Sequence, residues 1–139
     1  MAVIYPARAD FLAWVITTLR ADATLLALVP STSIWNHVPQ DKAFPYVRAW
    51  AAGSTAWDTQ TANGLDDEIQ VDAWTNRHGD LLALQIADAV RGVLHLATIT
   101  LPANHGQGLL IRYIGGDSFL EPDGESHRTV SRFRLLATA

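Results

Sequence analysis

A strict alternation of apolar and polar side chains between Glu68 and Thr75 constrains the fold more than any other feature of the sequence. Every second residue from Ile69 to Ala73 is apolar, and the residues between them are polar. Because consecutive side chains of a β-strand point to opposite faces of a sheet, this strand buries one face only. The pattern predicts a sheet with a core face and an opposite face that is solvated or shared with a partner.

A second alternating strand is predicted near the end of the chain, from Ser126 to Leu136, after a turn at Pro122-Asp123-Gly124. Its small and apolar side chains fall mainly on one face, and the other face is basic. The basic residues are Arg128, Arg132 and Arg134. Further strands are expected at Tyr46–Ala52 and Leu109–Ile114, with short ones at 33–36 and 97–101.

Two long segments predict amphipathic helices. Apolar residues recur at helical spacing from Phe11 to Leu19 and again from Leu82 to Val93. A short helix capped by Asp22 is expected before Pro30. The order of elements predicts a single α+β domain over residues 1–139. Its sheet is mainly antiparallel, with four to five strands, and two principal helices pack on one face.

The stretch from Gly53 to Asp66 joins two of the predicted strands and is too long for a tight hairpin. It is polar except at Trp57 and Leu65. We therefore expect a projecting loop over 53–66. Because loops of this kind often carry binding residues, its single large aromatic side chain is a candidate anchor for a neighbouring protein.

The composition indicates a folded domain that shares part of its surface. Of the 139 residues, 49% are hydrophobic and only 17% are charged, with five tryptophans and no cysteine. Such a chain is not disordered, and it has no disulfide or thiolate chemistry. A net charge of -4 argues against a protein that binds by neutralising phosphates. Soluble domains usually have about 25% charged residues, so this chain has fewer charges than a solitary domain needs on its surface. The shortage predicts that part of the surface is covered by partners. No targeting or membrane-spanning segment is recognisable, so synthesis in the host cytoplasm is expected.

No set of residues predicts chemistry. The five histidines lack the spacing of a zinc hydrolase motif, and no G-x-S-x-G sequence presents a nucleophile. We therefore predict that the chain is not an enzyme and has no catalytic, metal or cofactor-binding residues and no cofactor. The alternatives are a small monomeric hydrolase and a peptide-binding module.

Charges are segregated along the sequence. Between Arg48 and Arg77 all charges are acidic, whereas the last strand is basic. Two interpretations stay open: cross-strand pairs within one chain, or pairs between copies in a head-to-tail ring. The acidic residues are Asp58, Asp66, Asp67, Glu68 and Asp72.

Nearly the whole chain resembles the tail-terminator, or tail-completion, proteins of long-tailed phages and gene transfer agents. The resemblance rests on VPQ (38–40) followed by FPYV (44–47), and on the QVDAW strand (70–74) that leads into the second helix. It extends from LRADATLLALV (19–29) to YIGGDSFLEPDGESHRTVSRFRL (113–135).

This resemblance implies a structural subunit of a phage or gene transfer agent particle that forms a ring, expected to be a hexamer. The ring caps the head-proximal end of the tail tube, stops tube polymerisation and joins the tail to the head connector. The implied partners are copies of the chain itself, the tail tube protein and a head-side connector or stopper protein; no membrane is involved. The candidate interface residues are Trp57, Asp58, Leu65, Asp66, Asp67, Glu68, Asp72, Arg128, Arg132 and Arg134.

DNA has to pass through the channel of such a ring without binding tightly. Acidic residues on the channel wall would favour sliding, consistent with the net charge of -4. We hypothesise that acids of the 58–72 segment line this channel, with Asp66 and Asp67 as the positions to test by substitution with lysine.

Overall fold

The computed structural model describes residues 8–58, 63–76, 79–102 and 105–138. The chain begins with helices α1 (Arg8–Ala21) and α2 (Ala23–Leu26) and a 3-10 turn (Ser31–Ser33). Strands β1 (Ile34–Trp35), β2 (Tyr46–Ala56) and β3 (Gly64–Thr75) follow. Helix α3 (Leu81–Leu94) then leads to strands β4 (Gln107–Leu120) and β5 (His127–Thr138).

The five strands form one mixed sheet in the order β1-β2-β3-β5-β4. Strand β1 pairs in parallel with two residues of β2, and every other neighbouring pair is antiparallel. Strands β3 and β5 pair along their whole length, from Gly64 opposite Thr138 to Thr75 opposite His127. The predicted α+β class with a mainly antiparallel sheet is confirmed.

The hydrophobic core lies between the helices and one face of the sheet, which we call the core face. Burying each large apolar side chain here contributes about 1.5–3 kcal/mol. The helices provide Phe11, Val15, Leu19, Ile86, Val90 and Leu94, and the sheet provides Val47, Ile69, Val71, Ile111, Phe133 and Leu135. The other face, which bears Trp50, Gln70 and Arg132, is called the open face. Among the described helices, none has the length and apolarity that crossing a membrane requires.

The predicted loop from Gly53 to Asp66 is wrong at both ends. Strand β2 continues to Ala56 and β3 begins at Gly64, with Thr55 opposite Asp66 in the ladder. These polar residues pair with each other, and Asp66 also pairs with Leu136 of β5 on its other side. Sequence periodicity cannot reveal such a partner. Residues 59–62 of the predicted loop lie outside the described residues.

The short strand predicted at 97–101 is also wrong. Leu96 has a φ of 61°, and its N–H donates to the carbonyl oxygen of Ile111 at 2.9 Å. Ile99 then packs on Gly108, where an added Cβ would lie only 2.5 Å from the Cβ of Ile99. The segment after α3 therefore crosses over β4 and does not pair along it.

Candidate assembly interface

The acidic segment and the basic strand pair with each other inside one chain. The Nε atom of Arg134 lies 2.9 Å from both carboxylate oxygens of Asp66. The Nη2 atom of Arg128 lies 2.8 Å from Oδ2 of Asp72. These pairs form because β3 and β5 are neighbours with their polar residues on the same open face. For these four residues the structure favours the intrachain interpretation over pairing between copies.

Asp72 is fully buried at the centre of the open face, although it is an acid. Its Oδ2 also accepts a hydrogen bond from Nε1 of Trp50 at 3.1 Å, and its Oδ1 accepts from Nε2 of Gln70 at 2.9 Å. The Arg128 guanidinium also stacks over the Trp74 ring, 5.0 Å from its centroid. Because a buried charge is costly without partners, this satisfied carboxylate ties β2, β3 and β5 together.

Asp67 points to the core face and is completely buried. The Nε atom of Arg8, in the first turn of α1, donates to its Oδ1 at 2.8 Å. Burial raises the pKa of Asp67, and the hydrogen bond from Arg8 acts in the opposite direction. The hypothesis that Asp67 lines the DNA channel is therefore wrong, since its side chain has no exposed surface.

Two further predicted residues lie on the open face without belonging to the Asp72 cluster. Arg132 donates to Oδ2 of Asp117 across the β4–β5 ladder at 3.1 Å. Glu68 has no side-chain hydrogen bond or ion pair within the described ranges. Glu68 lies opposite Arg134 in the β3–β5 ladder, but the ion pair of Arg134 is with Asp66.

The tip of the β2–β3 hairpin carries Trp57, Asp58 and Leu65. The N–H of Trp57 donates to the Gly64 carbonyl oxygen at 3.1 Å, and the Gly64 N–H donates to Oδ1 of Asp58 at 3.0 Å. The Trp57 ring lies directly on Gly64, leaving no room for a Cβ there. The indole is 39% exposed, whereas Leu65 packs against the core. The hairpin tip thus presents one fixed aromatic ring to the outside.

Strand β4 forms one edge of the sheet, and four of its large apolar side chains are exposed. Part of its outer edge is covered by the chain itself: Leu96 donates to Ile111, and Nδ1 of His95 accepts from the Tyr113 N–H at 3.0 Å. Beyond this point no strand in the described part of the chain pairs with the outer edge of 114–120. The exposed residues are Leu109, Ile114, Phe119 and Leu120.

Strand β2 provides a second free edge on the opposite side of the sheet. Strand β1 covers it at Val47 and Arg48, and the side-chain amide of Asn36 donates to the Ala49 carbonyl oxygen at 2.9 Å. From Ala52 to Ala56 all residues are exposed, and no strand among the described residues pairs with their outer side. The described residues therefore include long unprotected edge segments over 52–56 and 114–120, which the sequence analysis did not identify.

The signals for these edges were weak in the sequence. Gly115 and Gly116 interrupt the alternation of β4, a pattern that predicts a bulge or a bend. The structure has a register shift between Tyr113 and Gly115, and the strand continues beyond it to Leu120. The exposed Phe119 and Leu120 were the remaining signal, because two adjacent large apolar residues beside a turn are unusual at a free surface.

Two of the described histidines serve structural roles. His95 covers the β4 edge, and Nδ1 of His105 lies 2.7 Å from Oδ2 of Asp10. Within the described ranges no three metal-ligating side chains cluster. His78 lies outside the described residues.

Comparison with known proteins identifies the relatives of this chain. No curated protein matches it. Among solved structures it is similar to a chain of the "Virion of native gene transfer agent (GTA) particle", with a TM-score of 0.83 and 24% identity over 97% of this chain and 99% of that chain. At this identity the similarity shows a shared fold.

The family model of the tail completion protein gp17 matches residues 13–138. This confirms the resemblance and the prediction that the chain is a structural protein and not an enzyme. The chain belongs to the tail completion protein gp17 family.

Proposed function

We propose that the protein forms a ring, expected to be a hexamer, on the head-proximal end of a phage-type tail tube. The ring stops tube polymerisation and joins the tail to the head-side connector or stopper protein. Membership of the tail completion family supports a role in the tail. The similar chain in a gene transfer agent virion supports assembly with other particle proteins.

The observation that carries the ring is the pair of free edges on opposite sides of one sheet. The outer edge of β4 over 114–120 and that of β2 over 52–56 lie at opposite ends of the strand order. Two copies that join through different surfaces make a head-to-tail contact, which closes into a ring when the rotation allows. A single chain cannot satisfy both edges itself.

The side chains on β4 support the same conclusion. Leu109, Ile114, Phe119 and Leu120 are between 41% and 53% exposed. A long edge strand with large apolar side chains aggregates unless another chain covers it. An assembled ring provides that cover.

Capping requires that the two faces of the ring differ. A face that matches a tube subunit binds the growing end, and an opposite face that matches no further subunit stops growth. The β2–β3 hairpin is suited to such a contact because Trp57 is held on Gly64 and is 39% exposed. We propose that Trp57 and Asp58 contact the neighbouring tube or connector ring, whereas DNA only passes through the channel.

The purified protein tests the proposal by its mass in solution, measured alone and with its tube protein. We expect a closed oligomer of one defined size in the presence of tube ends. Particles assembled without the protein should have tubes of uncontrolled length and few joined heads. Tubes of normal length, with normally attached heads, would contradict the capping function. A monomer that never binds tube ends would favour a peptide-binding module or hydrolase.

A further inference from the structure

We infer that the free segment of β4 in one copy pairs with the free segment of β2 in the next copy, so that the sheets of all copies join into one closed barrel. This inference rests on the proposed ring and specifies how its subunits contact each other. It follows from the direction, face, side chains and stagger of the two segments, in that order.

The direction of the strands favours antiparallel pairing. Strands β2, β3, β5 and β4 alternate in direction, so β2 and β4 run opposite ways within one subunit. Rotation about a ring axis keeps this relation between neighbouring copies. An incoming β2 would therefore add to β4 as an antiparallel strand, the pairing that is slightly more stable per residue.

The two faces of the sheet restrict the register. Thr55 and Asp117 both lie on the open face, because their ladder partners are Asp66 and Val130, whose side chains lie there. A shift of one residue would turn the core side of one copy against the open side of the next. Thr55 can therefore lie opposite Asp117 or opposite a residue two positions away.

The side chains of the two segments are complementary in size. The β2 segment from Ala52 to Ala56 contains only small residues, whereas the β4 segment contains Ile114, Phe119 and Leu120. With Thr55 opposite Asp117, Phe119 falls opposite Gly53, where a Cβ would have no neighbour within 4 Å. An aromatic ring beside an edge glycine covers the exposed backbone, as in designed sheets.

The stagger of the two segments matches the geometry of a barrel. Within one sheet Thr55 pairs with Asp66, which pairs with Leu136 of β5, whereas Asp117 pairs with Val130 of β5. The positions of Thr55 and Asp117 are therefore offset by six residues along β5. If Thr55 of one copy lies opposite Asp117 of the next, each copy shifts the strands by six residues, or about 20 Å, along their length. The four strands of one copy are about 19 Å wide, so the strands tilt by roughly 45° from the barrel axis. With Thr55 opposite Gly115 the tilt is roughly 35°, and with Thr55 opposite Phe119 it is roughly 55°. Closed barrels have tilts of about 35–45°, so the first two registers fit.

The helices must lie on the outside of such a barrel, because an outer layer has the larger circumference. The open face then lines the bore. Its arginines are largely paired with acids, as in Arg134 with Asp66 and Arg128 with Asp72. A hexamer would contribute about 24 strands, and barrels of 16–18 strands already leave an aqueous channel.

Disulfide cross-linking tests the pairing cleanly because the natural chain has no cysteine. Thr55→Cys combined with Asp117→Cys probes one allowed register, and Gly53→Cys combined with Asp117→Cys probes the other. Ser54→Cys with Asp117→Cys is the mismatched control, since these side chains lie on opposite faces. Within one chain Thr55 and Asp117 are about 25 Å apart, far beyond the reach of a disulfide.

The full-length variants are assembled with the tube protein, oxidised and compared on non-reducing gels. The mass of the wild-type assembly is measured first, to establish whether a ring forms. We expect a ladder of cross-linked oligomers, ending at the size of the ring, for one of the two allowed pairs. Single variants and the mismatched pair should give little cross-linking. A wild-type ring without a ladder from either allowed pair overturns the strand pairing and leaves the ring intact. No wild-type ring at all overturns the proposed function as well.

Discussion

The imidazole of His95 covers the backbone of Tyr113: its Nδ1 accepts the outward-facing N–H of that residue at 3.0 Å. Together with the bond from Leu96 to Ile111, this contact occupies the middle of the β4 edge. The segment beyond it, over 114–120, is available to another chain. The end of α3 thus limits where an incoming strand can bind.

His95→Ala should lower the free energy of unfolding by about 0.5–1.5 kcal/mol, because the Tyr113 N–H loses its acceptor. Urea denaturation measures this change, and His37→Ala is a matched control because His37 is exposed and has no side-chain hydrogen bond in the described part of the chain. We also expect the purified variant to self-associate at lower concentration. Equal stability of the two variants would show that the covering bond contributes nothing.

Asp67 makes a prediction about pH. Its pKa is raised by burial, so the folded state binds a proton more tightly than the unfolded state. The contribution of Asp67 to stability therefore falls as pH rises from its ordinary value of 3.8 through the raised folded value. The difference in unfolding free energy, wild type minus Asp67→Asn, should be larger at pH 3 than at pH 7. A difference that grows with pH would mean that Arg8 outweighs burial.

Asp123 should behave in the opposite way. Hydrogen bonds from the Ser126 side chain and backbone hold the pKa of this exposed carboxyl below 3.8. Its stabilising effect is present above that value and is lost as pH falls through the folded pKa. Asp123→Asn should therefore differ most from wild type at neutral pH and least in acid, measured by the same urea titrations. If the difference in unfolding free energy between the two proteins is the same at neutral and acid pH, the hydrogen bonds to Asp123 do not stabilise the turn.

The Asp66–Arg134 pair distinguishes intrachain from intercopy pairing. A double-mutant cycle with Asp66→Asn and Arg134→Gln in the dilute subunit should give only a small coupling energy, because both side chains are partly exposed and solvent screens their charges. We expect assembly on tubes to be unaffected by either change. Assembly that is lost in both single variants, and restored by exchanging the two charges, would instead indicate a contact between copies.

Trp57→Ala should leave the subunit folded but reduce head–tail joining. The Trp57 side chain is 39% exposed and lies on Gly64, so its loss should cost about 1 kcal/mol of stability. Leu81→Ala removes another large exposed side chain, at the start of α3, and serves as the control. The measurement is the fraction of tails with heads attached. If the fraction of joined tails is the same as in the wild type, Trp57 does not contribute to the partner contact.

Glu68→Lys tests the channel lining. Glu68 lies on the open face without a side-chain partner among the described residues, so a lysine there would present a new positive charge to passing DNA. We expect normal assembly with slower DNA delivery. Glu125→Lys, in the exposed β4–β5 turn, should leave delivery unchanged. Equal delivery in both variants would place Glu68 away from the channel.

The sequence predicted those parts of the fold in which periodicity and burial coincide. The alternation from Ile69 to Ala73 and the helical spacing of Ile86 and Val90 both match buried positions. The extent of the hairpin was missed because Thr55 and Asp66 are polar and resemble loop residues. In the structure Asp66 lies between two partners, Thr55 of β2 and Leu136 of β5, and the second of these is far away in sequence.

Predictions about the site divided along similar lines. The sequence indicated that the acidic and basic residues meet, and Asp66 with Arg134 does so. It could not separate Asp66 from Asp67, because the predicted strand began at Glu68, whereas β3 begins at Gly64 and so places these two side chains on opposite faces. The free edges depend on chain order within the sheet, which no local pattern encodes.

The two different free edges also have a genetic consequence. A copy damaged on β4 still offers an intact β2 edge and can join a growing ring, yet it accepts no further neighbour. One such copy leaves the ring open. Mutations confined to either edge should therefore be dominant in a cell that also makes the wild-type protein, whereas mutations that unfold the subunit should be recessive.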